Sequence, residues 1–190
     1  SAHYCANLYL IQPDDRGEGM EYSLRRKARK IEDAEAVEVL RRCDWGVLSL
    51  AGSDGMPYGV PLNYVLQDTG DRLRLIFHCA REGRKIECLK SRPHGAFVVV
   101  EDPRILPDKF STAYASAMVS GRVAIVDDPD AKRELLKFFV QKLAPDFLER
   151  GDRHIEHRLH ECLVLQMEIE SLCGKGRKWE EPYALAHLGF

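Results

Sequence analysis

Between Phe77 and Lys85 the chain reads Phe-His-Cys-Ala-Arg-Glu-Gly-Arg-Lys, a stretch dense in side chains with chemistry to offer. An apolar strand pattern ends there, a short loop follows, and a helical pattern opens near Glu82, so Arg84 and Lys85 fall in the first helical turn. Cations at that end oppose the helix macrodipole by ~0.3–1 kcal/mol each. A bound phosphate would reverse the sign, because free N–H groups, a planar guanidinium and an ammonium then converge on one anion. The competing reading leaves both side chains in solvent. His78 carries an imidazole that titrates near neutrality when unperturbed, so it is a candidate general acid or ligand, or else a packing residue. Cys79 is a candidate reactive thiol if the neighbouring cations lower its pKa, or a small residue that fits a slot.

A phosphate attached to a flat ring system also needs an apolar wall. Val60-Pro61-Leu62-Asn63 offers one: proline withholds an N–H from the ladder, so a ring edge can approach the neighbouring backbone, unless this is simply an edge strand. His154, His157 and His160 follow at i, i+3 and i+6. They drift around a helix, and Arg153, Glu156, Arg158 and Glu161 interleave them, so a solvated face is the better reading than a zinc site. No metal site is expected. Tyr114 could stack on a ring or lie on a strand surface, and Trp179 and Tyr183 could reach a partner subunit.

The elements that would position these residues are mostly strands. Asp33 can cap a helix through about Cys43. Strands are expected over 45–51, 58–67, 72–78, 95–101, 113–126 and 162–172, with turn chemistry at 52–55 and 68–71. Pro61 predicts an edge or a bulge in the second strand, and Gly121 a bend or bulge in the fifth. A short helix over 82–91 ends at Arg92-Pro93, a loop fills 102–111, and an amphipathic helix covers 129–145 through Leu135, Leu136, Phe139, Val140 and Leu143. Residues 151–161 are polar with helical character. Six strands and few helices predict an antiparallel sheet closed on itself, which removes aggregation-prone edges.

The whole chain sets the outer bounds. Its 190 residues suit one domain. A net charge of −2 with 31% charged residues gives no electrostatic reason for a nucleic-acid or membrane partner. No apolar run is long enough to span a bilayer, and no basic-then-apolar leader pattern occurs. Cys5, Cys43, Cys79, Cys88, Cys162 and Cys173 form no CxxC pair and read as reduced thiols, so a cytoplasmic protein is expected. Residues 1–19 read as an extension that is expression-derived if Met20 is the natural start; 20–176 read as the domain and 177–190 as a tail.

Taken in order, RRKARKIED (25–33), WGVLSL (45–50), PYGVPLNYV (57–65), LIFHCAREGRKIECLKSRP (75–93), STAYASAMVSGRVAIVDDP (111–129) and EIESLCGK (168–175) resemble the 5-nitroimidazole-resistance (Nim) proteins within the pyridoxamine-phosphate-oxidase-like FMN split-barrel group. The resemblance covers about residues 24–176. It implies a mainly β fold, a six-stranded antiparallel split β-barrel with flanking helices, working as a homodimer with FMN at the interface. By motif position it implies that Arg84 and Lys85 bind the phosphate, that His78 and Cys79 lie beside the ribityl chain and ring, that Val60, Pro61, Leu62 and Asn63 run along the isoalloxazine, and that Ser116 approaches the flavin from the same or the partner subunit. His78 is then the candidate catalytic residue.

The implied activity is an FMN-dependent oxidoreductase passing electrons to a small acceptor such as a nitroaromatic, with FAD or haem as less expected cofactors. Cys79 and the Pro93-His94 order depart from the commoner pattern. Arg177 and Trp179 stand in the wrong context for the Trp and Arg substrate motif of true pyridoxamine-phosphate oxidases, which argues against vitamin B6 oxidation. The alternatives are a non-catalytic flavin- or haem-binding storage or sensing module, with His78 as the natural axial ligand, and an unliganded interaction protein using the basic lead-in Arg25–Lys30.

Overall fold

Alternating apolar residues from Trp45 to Arg177 build one antiparallel sheet that nearly closes on itself. The structure is a computed structural model and describes residues 26–178; the expectations for residues 1–19, for most of the tail, and for Trp179 and Tyr183 lie outside the described residues. Its elements are β1 (Lys30–Ile31), α1 (Asp33–Arg42), β2 (Trp45–Ala51), β3 (Pro57–Asn63), β4 (Val65–Asp68), β5 (Leu73–Ala80), α2 (Arg84–Ser91), β6 (His94–Leu106), β7 (Ser111–Val126), α3 (Pro129–Leu143), α4 (Leu148–Arg158) and β8 (Cys162–Arg177).

The strand order is β3-β2-β6-β7-β8-β5-β4, with β1 added to β8. The two ends of this order, β3 and β4, are consecutive in the chain and separated only by Tyr64. The expected single strand over 58–67 is thus two strands that change partner at Tyr64: β3 pairs with β2, and β4 with β5. This switch brings the two ends of the sheet together, and it is held firmly. The Tyr64 side chain is fully buried and donates to the Leu40 carbonyl at 2.5 Å, and Lys142 sits 4.7 Å above its ring while donating to the Cys43 carbonyl. Pro61 stands on β3 opposite Val47, at the outer end of the order, where a missing N–H is tolerated.

Three further expectations are corrected. Residues 102–111 are not all loop: β6 continues to Leu106 across an irregularity between Glu101 and Arg104, where Asp102 takes φ 40°. The last strand runs on to Arg177, because both β7 and β1 pair with its second half. Asp33 does not cap α1; it is the first helical residue, and the preceding Glu32 makes no side-chain cap bond. Gly121 does mark a bulge, and a Cβ there would sit 1.7 Å from the Glu168 carbonyl oxygen, so β7 and β8 approach too closely for any side chain.

Leu48, Phe77, Phe97, Val99, Leu165 and Met167 fill the barrel, with α1 contributing Val39 and Leu40 and α2 contributing Ile86, Cys88 and Leu89. Tyr64 and Phe77 both meet Phe97 edge to face, at 4.9 and 5.0 Å. A second cluster joins α3 and α4 to the outer face of β4, β5 and β8 through Leu135, Leu136, Phe139, Ile155, Ile76 and Val164. Between the helices and the barrel, buried Lys132 donates to the carbonyls of Leu159 and Cys162 and pins the end of α4 to the start of β8. The described cysteines are free thiols. No helix among the described residues is long and apolar enough to cross a membrane.

Candidate functional site

The corner where β5 hands over to α2 is built around Gly83. Its φ of 119° is open to glycine and strained for other residues, and it lets the chain turn straight from the loop into the helix. No side chain caps α2, in contrast to α3, whose first turn is capped by Asp128 accepting from the Ala131 N–H at 2.7 Å. The N–H groups of Arg84 and Lys85 have no acceptor among the described residues. The expected cationic start is therefore real. Arg84 is exposed, Lys85 half-buried, and neither has a carboxylate within ion-pair distance among the described residues. Arg84 lies 4.9 Å over the ring of Tyr58, which ties the helix start to β3. The sequence reading missed Tyr58; a tyrosine two residues before Val60 on the same face of the strand was the available signal.

Strand periodicity separates His78 from Cys79. Successive residues of β5 point to opposite faces. Cys79 faces the barrel and is buried, and burial pushes its thiol pKa up, against a smaller lowering by Lys85. A thiol in that state is a poor nucleophile at neutral pH. His78 points the other way, beside α3, where it is exposed at the edge of the helix and its ring meets Phe139 edge to face at 4.8 Å. The two side chains therefore leave the strand on opposite faces, although both residues border the groove beside α3 and α4.

On β3, Tyr58, Val60 and Leu62 turn inward against the core, while Gly59, Pro61 and Asn63 face out and are exposed. Asn63 is oriented by its amide, which donates to the Asp44 carbonyl at 3.0 Å. The structure thus brings Tyr58, Cys79, Arg84 and Lys85 together beside the outer strand. Ser116 is elsewhere. It is buried on β7, donates to the Lys175 carbonyl at 2.9 Å, and is separated from β3 by β2 and β6, a span of roughly 14 Å at ordinary strand spacing.

Desolvation lowers the His78 pKa from its ordinary 6.5, so its neutral form is favoured in the folded protein. The unfolded chain then binds more protons between the two values, and acid favours unfolding. This contribution is fully present above about pH 6.5 and is lost as the pH falls through the folded value. His78→Phe, which keeps the ring contact with Phe139, should give a flatter dependence of urea midpoint on pH between about 7 and 5 than the wild type. Parallel profiles would show that the imidazole is not desolvated.

One further region outside this corner is unusual. β2, β3, β6, β7 and the second half of β8 turn an apolar face outward: Val47 is in register with Pro61 and Val98, Val98 with Met118, and Met118 with Cys173. Trp45 and Val100 on the same face are 63% and 51% exposed. The helices pack elsewhere, α3 and α4 on β4, β5 and β8, and α1 into the barrel core.

The family model for pyridoxamine 5'-phosphate oxidase matches residues 32–176. No curated protein matches the chain. Among solved structures, a protein assigned to 5-nitroimidazole antibiotic resistance from Bacteroides thetaiotaomicron is similar at 22% identity and a TM-score of 0.61, over 77% of this chain and 85% of that one. A flavocytochrome from Azotobacter vinelandii superposes with a TM-score of 0.66 at 22% identity, over 86% and 78% of the two chains. An FAD-binding protein from Mesorhizobium loti gives 0.56 at 23% identity, over 79% and 98%. These likenesses carry the fold. By the match across residues 32–176, the chain belongs to the pyridoxamine 5'-phosphate oxidase-like family of split β-barrels.

Proposed function

We propose that the protein is an FMN-binding oxidoreductase, acting in the cytoplasm as a homodimer and passing electrons to a small acceptor, nitroaromatic compounds included. The observation that carries this reading is the start of α2: an uncapped helix entered through Gly83, with free N–H groups and two cations lacking carboxylate partners among the described residues. That donor set suits a phosphate dianion, and the family's members and the flavin-binding neighbours make a flavin its natural bearer.

In this reading Arg84 and Lys85 hold the phosphate. Pro61 and Asn63 present the exposed side of β3 to the flat ring system, and Val60 and Leu62 hold that strand against the core. Gly59 and Pro61 leave the strand's outer surface flat, so a ring can lie close to backbone. The flavin, when bound, supplies the hydride or electron transfer. The exposed apolar sheet face is the surface on which a second copy packs, and Ser116, remote from β3 within one chain, belongs to the partner's side of the site. Cys79, protonated and buried, contributes shape. His78, on the far face of β5, keeps that strand seated under α3, so a direct catalytic role is not part of this proposal.

The absorbance spectrum of freshly purified protein, followed by mass identification of the released chromophore, tests the reading. A flavin band in the blue that bleaches with NADH or NADPH under anaerobic conditions, and a released mass equal to FMN, is the expected result. A Soret band without flavin, or no FMN uptake after incubation with excess, rejects it.

A further inference from the structure

We propose that the groove between α4 and the C-terminal end of α3 binds an amphipathic carboxylate with a medium-length alkyl body, at a site separate from the flavin corner. Two cavities, of about 690 and 520 Å³, adjoin there and share Val140, His154, Ile155 and Arg158. The smaller one runs past His78, Phe139 and Glu161 and also borders Cys79 and Ala80, so the site proposed is the larger one, whose lining shares no residue with the flavin corner.

Charge and spacing define the occupant. Arg150, Arg153, His154, His157 and Arg158 follow one another at i, i+3, i+4, i+7 and i+8 along α4, the stripe on which an amphipathic helix ordinarily carries its apolar residues. They line the larger cavity, and no carboxylate does. Arg150 and Arg153, three apart, are permanent like charges on one face of the helix and repel each other. Their local compensation is thin: Arg158 meets Glu161 at 2.8 Å and Arg153 meets Glu149 at 3.9 Å, both exposed surface pairs, while Arg150 has no carboxylate partner among the described residues.

Beneath this basic rim the lining is apolar. Val140, Ala144 and Ile155 form the floor, and Phe147 stands at the edge with 58% of its surface exposed. Gly151 lets α4 sit close on α3: a Cβ there would lie 2.3 Å from Val140 Cγ1. A basic rim over an apolar floor fits an anionic head on a hydrocarbon body. A guanidinium fork meets a planar carboxylate with two parallel hydrogen bonds, and the body displaces water from Val140, Ile155 and Phe147.

Dodecanoate below its micelle concentration, titrated calorimetrically into the full chain, tests the proposal, with dodecanol as the neutral control. Saturable binding of one dodecanoate per chain is expected, with dodecanol at least about tenfold weaker. The double variant Arg150→Gln/Arg153→Gln, folded by circular dichroism, should lose at least about tenfold in affinity, and Phe147→Ser should weaken binding while leaving the preference for the carboxylate. The variant Arg84→Gln/Lys85→Gln should bind dodecanoate as the wild type does, which separates this site from the flavin corner. Absence of saturable binding, equal affinity for the alcohol, or indifference to the Arg150/Arg153 double variant overturns the proposal.

Discussion

Replacing Arg84 and Lys85 together with glutamine should weaken FMN binding by about 100-fold while leaving the ligand-free protein as stable as before. Hydrogen bonds to charged groups contribute roughly 1.5–3 kcal/mol each, and two of them at the lower end give about 3 kcal/mol, or some two powers of ten in affinity. The lower end is appropriate because Arg84 is exposed and its charge is screened.

The stability side carries opposite signs that nearly cancel. Each cation removed from the start of α2 relieves ~0.3–1 kcal/mol of unfavourable macrodipole interaction. The loss of Arg84 also removes its contact with the Tyr58 ring, worth ~0.5–1 kcal/mol at an exposed site. Lys85→Gln alone has no such loss among its described contacts and should raise the apo melting temperature slightly while weakening FMN. A residue kept for stability cannot behave that way. Lys90→Gln is the control: it lies at the other end of the same helix, paired with Glu87 at 3.0 Å, and should leave FMN affinity unchanged. Fluorescence titration of FMN, read beside apo melting curves, checks all four proteins. Wild-type affinity in the double variant would remove the phosphate assignment.

The parts of the molecule legible in the sequence are those governed by local periodicity and turn chemistry. Arg84 and Lys85 at a helix start followed from the pattern around Gly83, and the Gly121 bulge followed from a lone glycine inside a long apolar strand. What was not legible depends on long-range pairing. Nothing local between Tyr58 and Gln67 reveals that Tyr64 divides the run, because the division arises when β3 and β4 choose β2 and β5 on opposite ends of the sheet. The continuation of β6 through Pro103 similarly needs β7 beside it, with Arg104, Ile105 and Leu106 paired to Ala113, Thr112 and Ser111.

Within the site, adjacency in the sequence misled. His78 and Cys79 are neighbours in the chain but lie on opposite faces of β5, and that alternation was available from the strand's period of two. Ser116 needed the strand order: its distance from β3 is a count of intervening strands. The basic stripe of α4, seen only as a charge-mixed face, gains meaning once α3 places Val140 and Ala144 beneath it.

Placing a charge at the centre of the bare sheet should dissolve the proposed two-fold assembly and empty the proposed flavin site together. Val98 lies between Phe97 and Val99, both in the core, and so points outward; its register partners on that face are Val47 and Met118. Soluble monomers rarely leave such contiguous apolar surface open. In a two-fold assembly the same patch meets itself, so Val98→Glu introduces a pair of like charges into one interface. An unpaired charge in a desolvated contact costs several kcal/mol, enough to shift a micromolar dimer to monomer at working concentrations.

The expected result is a wild-type dimer and a monomeric Val98→Glu variant by light scattering. Far-ultraviolet circular dichroism should match, since Val98 lies outside the core cluster to which its neighbours Phe97 and Val99 belong. If the flavin is completed by the second copy, the monomer should also lose bound FMN even though Arg84 and Lys85 are intact. Val98→Thr, of similar shape and uncharged, should retain both properties. A monomeric wild type would reject the interface itself. A monomeric variant that still holds FMN at wild-type affinity would keep the interface and place the whole cofactor site within one chain, leaving Ser116 no part in it.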